Sequence, residues 1–121
     1  MRAFFLVGLG SLVGGMARYG VGLLLPPSLS RWPLATWAVN VAGCFLIGAL
    51  SALLARQGQQ AAWLRPFLLT GFCGGFTTFS TFLNDQFLLL RGHQLWWAVG
   101  YLVASLVGGM VALWGGYQWG R

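Results

Sequence analysis

The sequence predicts an all-α membrane protein, a single domain over 1–121 with four transmembrane helices, and three observations carry the prediction. Of the 121 residues, 58% are hydrophobic and only 7% are charged, whereas a soluble domain carries about 25% charged residues to cover its surface. The apolar residues fall into four runs, each near the roughly 20 residues that cross a hydrocarbon core. What lies between the runs is short, so no soluble domain fits between them.

The first run, about 3–25, is interrupted only by Arg18. It starts with Met1 and Arg2 as a secretory signal would. It is longer than a signal's apolar core, however, and lacks a small-x-small exit before Pro26-Pro27, so it reads as a span. The second, about 32–55, has no charge at all. The third, about 66–90, opens on Pro66 and stays uncharged to Asn84, and the fourth occupies about 95–120. Glycine is the bias within them: Gly10 and Gly14, Gly71 and Gly75, and Gly116 and Gly120 each stand four apart. Small residues at that spacing let helices approach closely where lipid supplies no hydrophobic drive. Four short helices bury little surface between themselves, so an oligomer is expected.

Composition also excludes whole classes of function. The seven basic residues are all arginine and are scattered, giving +6 with no cluster, so a nucleic-acid partner is not expected. One carboxylate (Asp85), one histidine (His93) and two distant cysteines (Cys44, Cys73) supply neither a carboxylate pair, a catalytic triad nor a three-ligand metal site. An enzyme is not expected, and both cysteines read as small buried hydrophobes. With four spans, Arg2, Arg56, Arg65 and Arg121 share one side and Arg31 and Arg91 the other. That balance leans toward a cytoplasmic N-terminus while staying close to what insertion in both orientations requires.

One stretch departs from helix packing. The third run contains Gly74-Gly75-Phe76-Thr77-Thr78-Phe79-Ser80-Thr81-Phe82, poor helix material in the middle of a span. A break is expected around 74–78. Non-helical backbone survives at membrane depth only where protein or water satisfies it, and its freed carbonyls are ready cation ligands. In the second run, Asn40 is an amide that must be bonded in hydrocarbon, either gluing helices or lining a pathway. In the fourth, Tyr101 and Ser105 are four apart and share a face, as a polar track or as a belt tyrosine and a serine bonded to its own helix.

Gly14-Gly15-Met16-Ala17-Arg18-Tyr19, the segment 36–43 with Val39-Asn40, and the run 74–82 together resemble the CrcB/Fluc family of fluoride channels. The resemblance spans the chain, and the third-run motif is its most specific part. It implies an antiparallel, dual-topology homodimer in the cell membrane, with a broken third helix from each subunit crossing at the centre and two pores that export fluoride passively. It further implies a central sodium ion held by the backbone carbonyls of Gly74 and Thr77. The implied pore residues are Asn40, Phe79, Ser80, Thr81 and Phe82, with Tyr101 and Ser105 as a polar track and Arg18 near a vestibule. Asp85 stands where the family commonly has Glu, and is expected to be structural and not a sodium ligand. Gly109, one turn beyond Ser105, offers no hydroxyl to lengthen the track.

The chemistry of such a pore follows from the ion. Fluoride holds water tightly, so a pore must replace hydration with donors and still let the ion leave. Asn40 offers two N–H groups and each hydroxyl one, while phenyl edges present the positive end of a quadrupole. The alternative is a small four-span, proton-coupled multidrug transporter. That chemistry wants a membrane carboxylate, typically in the first span, where this chain has Arg18.

Overall fold

A computed structural model describes residues 1–30 and 32–121; Arg31, counted above among the loop arginines, lies outside them. The described residues are helical throughout, with no strand. Helix α1 covers Arg2–Leu24 and α2 covers Leu34–Gln57. A π-helix, Pro66–Cys73, runs into a single α turn, α3 (Gly74–Phe76), and α4 (Phe79–Arg91) follows after an interruption. Helix α5 covers Leu95–Gly120. Short 3-10 turns at Pro27–Leu29 and Gly58–Ala61 tighten the first two connections.

Three helical stretches, Arg2–Leu24, Leu34–Ala61 and Leu95–Gly120, are individually long and apolar enough to cross a membrane. The segment from Pro66 to Arg91 is helical only in pieces. Large apolar side chains face outward on α1 and α5, among them Phe4, Leu12, Met16, Leu106, Met110 and Trp114. Lipid solvates such side chains as well as a protein core does, which is why the chain keeps few of them inside.

Glycine contacts build the bundle from two pairs of helices. A Cβ on Gly10 would strike the Phe67 carbonyl and one on Gly14 the Phe72 carbonyl, so α1 lies backbone to backbone on the π-helix and α3. Because the contacts advance together along both segments, the two run in the same direction. Likewise Gly48 abuts the Leu113 carbonyl and Gly116 the Phe45 carbonyl, which joins α2 and α5 in a second parallel pair. Trp37 on α2 donates its indole N–H to the Ala104 carbonyl across this seam at 3.3 Å. Helix α4 packs chiefly on α5, where Phe82, Leu89, Ala98 and Tyr101 form a buried cluster under Trp32 and Trp37.

Candidate functional site

The interruption falls later than the glycines suggest. Gly74 and Gly75 are helical, and the extended residues are Thr77 (φ −90°, ψ 160°) and Thr78 (φ −152°, ψ 121°). The glycines serve contact instead: a Cβ on Gly75 would sit 2.6 Å from the Ser11 carbonyl oxygen of α1. Helicity resumes at Phe79, with the Thr78 hydroxyl accepting from the Thr81 backbone N–H at 3.2 Å as an N-cap.

Asn40 explains why Thr78 leaves the helix. Its Nδ2–H donates to the Thr78 carbonyl at 3.0 Å, and its Oδ1 accepts the Thr78 N–H at 2.8 Å. The amide thus meets both backbone polar groups of one residue, as a neighbouring strand would. The Thr77 N–H and hydroxyl both turn back to the Cys73 carbonyl, at 3.0 and 2.9 Å. Among the described residues, no hydrogen bond ends on the carbonyl of Gly74 or of Thr77. Gly43, one turn after Asn40 on α2, faces the Thr77 methyl so closely that a Cβ there would overlap it.

Arg18 turns toward the third segment: its Nε–H donates to the Gly75 carbonyl at 3.0 Å. It also lines a cleft of about 390 Å³ with Tyr19, Thr36, Val39, Thr78 and Thr81. The two phenylalanines differ in surroundings. Phe82 is 7% exposed with its ring centroid 5.0 Å from that of Tyr101, whereas Phe79 is 72% exposed and 6.3 Å from Phe82. Three residues along a helix turn a side chain by about 60° from its neighbour, enough here to put one ring in the bundle and the other outside. Ser80 is exposed beside Phe79, and Thr81 is half-buried with its hydroxyl accepting from that of Thr78 at 3.1 Å.

Tyr101 is fully buried and donates its hydroxyl to Asp85 Oδ2 at 3.1 Å. The single acid is therefore held inside the bundle by a neutral donor. Asp85 faces a second cleft, of about 530 Å³, with Trp32, Thr36 and Gln94. The Ser105 hydroxyl is buried and finds no partner among the described residues, so it is not bonded back to its own helix.

The structure thus brings Asn40, Thr77, Thr78 and Arg18 around one interruption, and Phe82, Tyr101 and Asp85 into one cluster behind it. Ser80 and Phe79 stand on the outward face. Sequence reasoning placed Gly75 and Thr78 within the expected break but not their contacts, and gave Gly43 no role of its own. The signal for those contacts, a Thr78 N–H bonded to Asn40 and two glycines packed tightly against other elements, exists only in three dimensions.

Apolar helices around an interrupted segment whose backbone is held by an amide and a guanidinium define a multi-pass, all-α membrane protein built for transport. Comparison with known proteins narrows this. The family model described as "CrcB-like protein, Camphor Resistance (CrcB)" matches residues 5–117, and the chain belongs to that family. Among curated relatives, a protein of Chlorobium phaeobacteroides (strain DSM 266 / SMG 266 / 2430) is 47% identical over 116 residues, covering 96% of this chain and 90% of its own length. One of Paracoccus denitrificans (strain Pd 1222) is 45% identical, covering 99% of this chain and 95% of its own length. One of Methylobacillus flagellatus (strain ATCC 51484 / DSM 6875 / VKM B-1610 / KT) is 42% identical, covering 98% and 94%. All three carry the name "Fluoride-specific ion channel FluC".

Proposed function

We propose that this chain is a fluoride channel, not an enzyme, that lets fluoride leave the cytoplasm passively. The observation that carries the reading is the Thr77–Thr78 interruption, stabilised by Asn40 and continued by a run of rings and hydroxyls. The relatives' shared name supports it, and none of the names quoted supports the multidrug-type alternative. In this reading the path runs past Phe79, Ser80, Thr81 and Phe82, with Asn40 fixing the backbone beside it. Tyr101 and Ser105 form the polar track. The orphaned Ser105 hydroxyl is a free donor of the kind a dehydrating anion needs, and the side chains of this set are themselves neutral. The deciding measurement is flux from reconstituted liposomes: fluoride efflux is expected and chloride efflux is not, and equal rates for the two would overturn the assignment.

The functional unit is an antiparallel homodimer. Helix α4 leaves Phe79, Ser80, Leu83, Asn84 and Phe87 exposed, and an amide and a hydroxyl on such a face need a partner in lipid. A second copy supplies one. A cysteine placed in the 58–62 loop of a variant lacking Cys44 and Cys73 is expected to react with impermeant reagent from both sides of the membrane. Reaction from one side alone would rule out dual topology.

The residues fit a central sodium ion. Gly74 and Thr77 offer carbonyls with no donor among the described residues, at the C-terminal end of a helical piece, where partial negative charge gathers. Gly74 is exposed, which leaves room for a second copy to contribute the same pair. Among the described residues no cluster of His, Cys, Asp or Glu competes for a metal. The bound ion would offset the like partial charges of converging carbonyls and so hold the two subunits together.

A further inference from the structure

We infer that Arg18 is a positioning residue, which fixes the helix end carrying the Gly74 and Thr77 carbonyls through a single N–H donor. The inference rests on the sodium reading just given. Helix α1 grips the third segment at two points: the Ser11 hydroxyl donates to the Gly71 carbonyl at 3.3 Å, and Arg18 Nε donates to the Gly75 carbonyl at 3.0 Å. Ser11 and Arg18 are two helical turns apart on one face of α1, as Gly71 and Gly75 are about one turn apart on theirs. Between the two bonds the backbones touch, with Gly14 against the Phe72 carbonyl and Gly75 against Ser11 and Gly15. The segment is therefore held rigidly up to Gly75, and Arg18 is its last fixed point before the interruption.

Position alone explains the choice of atom. At the end of a helix the last four carbonyls lack intrahelical donors. Cys73 receives Thr77, Gly75 receives Arg18, and the Thr78 N–H that would have closed on Gly74 is taken by Asn40. The Gly74 carbonyl is thus left free by bonds made on both sides of it. Releasing Gly75 would let this last turn fray in search of a donor, and the carbonyls would lose their common direction.

The bond is made by Nε, which lies as many bonds from Cα as the amide nitrogen of glutamine does, and this separates the donor from the charge. Arg18→Gln keeps an N–H at that reach without charge, while Arg18→Met keeps the length without a donor. The measurement is the sodium concentration at half-maximal thermal protection of the purified, detergent-solubilised protein, with the sodium dependence of liposome fluoride flux beside it. Arg18→Met is expected to need about tenfold more sodium or greater, in line with one lost bond to a charged donor, and excess sodium should restore the flux. Arg18→Gln is expected to stay within about fivefold of the parent, since a neutral donor of equal reach keeps the bond at lower strength.

Other roles leave different signatures. If only the charge mattered, both neutral variants would bind sodium more tightly, because a repelling cation would be gone. If Arg18 only gathered anions at the cleft, sodium midpoints would stay fixed and the fluoride dependence would shift in both. Either result overturns the inference. Should Arg18→Met fail to fold, Arg18→Gln still decides: a midpoint displaced beyond that range, or a shifted fluoride dependence, contradicts the donor role, and a retained midpoint with an unshifted fluoride dependence supports it. A parent protein indifferent to sodium would instead overturn the cation site itself.

Discussion

Asn40→Asp is expected to abolish fluoride flux, lowering it at least about a hundredfold, while the protein still assembles. The substitution changes one group and almost no volume. Oδ1 remains to accept the Thr78 N–H, but the Nδ2 donor becomes a second carboxylate oxygen pointed at the Thr78 carbonyl, now 3.0 Å from a like charge. A buried group left unpaired costs about 1–3 kcal/mol, and more when charged. The loss falls on Thr78, one of the two extended residues of the interruption. It also sets a negative charge beside the path of an anion, where repulsion is only weakly screened. Asn40→Ala separates the two effects, since it removes both bonds without adding charge. It is expected to lose less flux than Asn40→Asp. The checks are liposome flux and size-exclusion elution for each variant; parental flux in Asn40→Asp would return this residue to helix packing alone.

Phe82→Ile is expected to reduce fluoride flux strongly, with the dimer intact. Phe82 is buried with its ring on Tyr101, whose hydroxyl is bound by Asp85. The ring holds Tyr101 in place, and in the proposed reading it would also present an edge to the ion. An aromatic pair contributes roughly 0.5–1.5 kcal/mol beyond its area, so loss of the pair alone approaches a tenfold effect. Phe79→Ile isolates the edge. Phe79 is 72% exposed within the chain, so its replacement disturbs no packing there, and a comparable fall in flux could arise only at the ion or at the partner's surface. Flux, melting temperature and elution of both variants make the test. If both conduct like the parent while remaining dimeric, the rings are packing and the edge mechanism does not operate.

The two expectations draw on different halves of the site. Asn40 acts on backbone geometry, through a peptide it fixes 38 residues away in sequence. In the proposed reading the rings would act on the ion directly, through a quadrupole that needs no charge. Together with the bond from Arg18 to Gly75, they divide the region into a scaffold that holds the interruption and the surface proposed to meet the ion.

The sequence by itself determined the all-helical, membrane-embedded class, because the apolar runs are long and the charges too few to solvate a surface. It also marked the stretch 74–82 as unlike an ordinary span, since glycine pairs and consecutive threonines weaken a helix locally. Tertiary structure decided where the helix actually stops. Glycine propensity points to Gly74 and Gly75, yet both stay helical against α1, and Thr77 and Thr78 are extended because Asn40 supplies the hydrogen bonds that a helix would have given Thr78. Propensity is a difference of about 1 kcal/mol per residue, and a pair of buried hydrogen bonds outweighs it. Tertiary structure also turned Arg18 inward to a carbonyl, tied Tyr101 to Asp85, left the Ser105 hydroxyl unpartnered, and set Phe79 and Phe82 in opposite surroundings. Each of these depends on a partner distant in sequence or on which side of a helix its neighbours occupy, and local spacing carries neither.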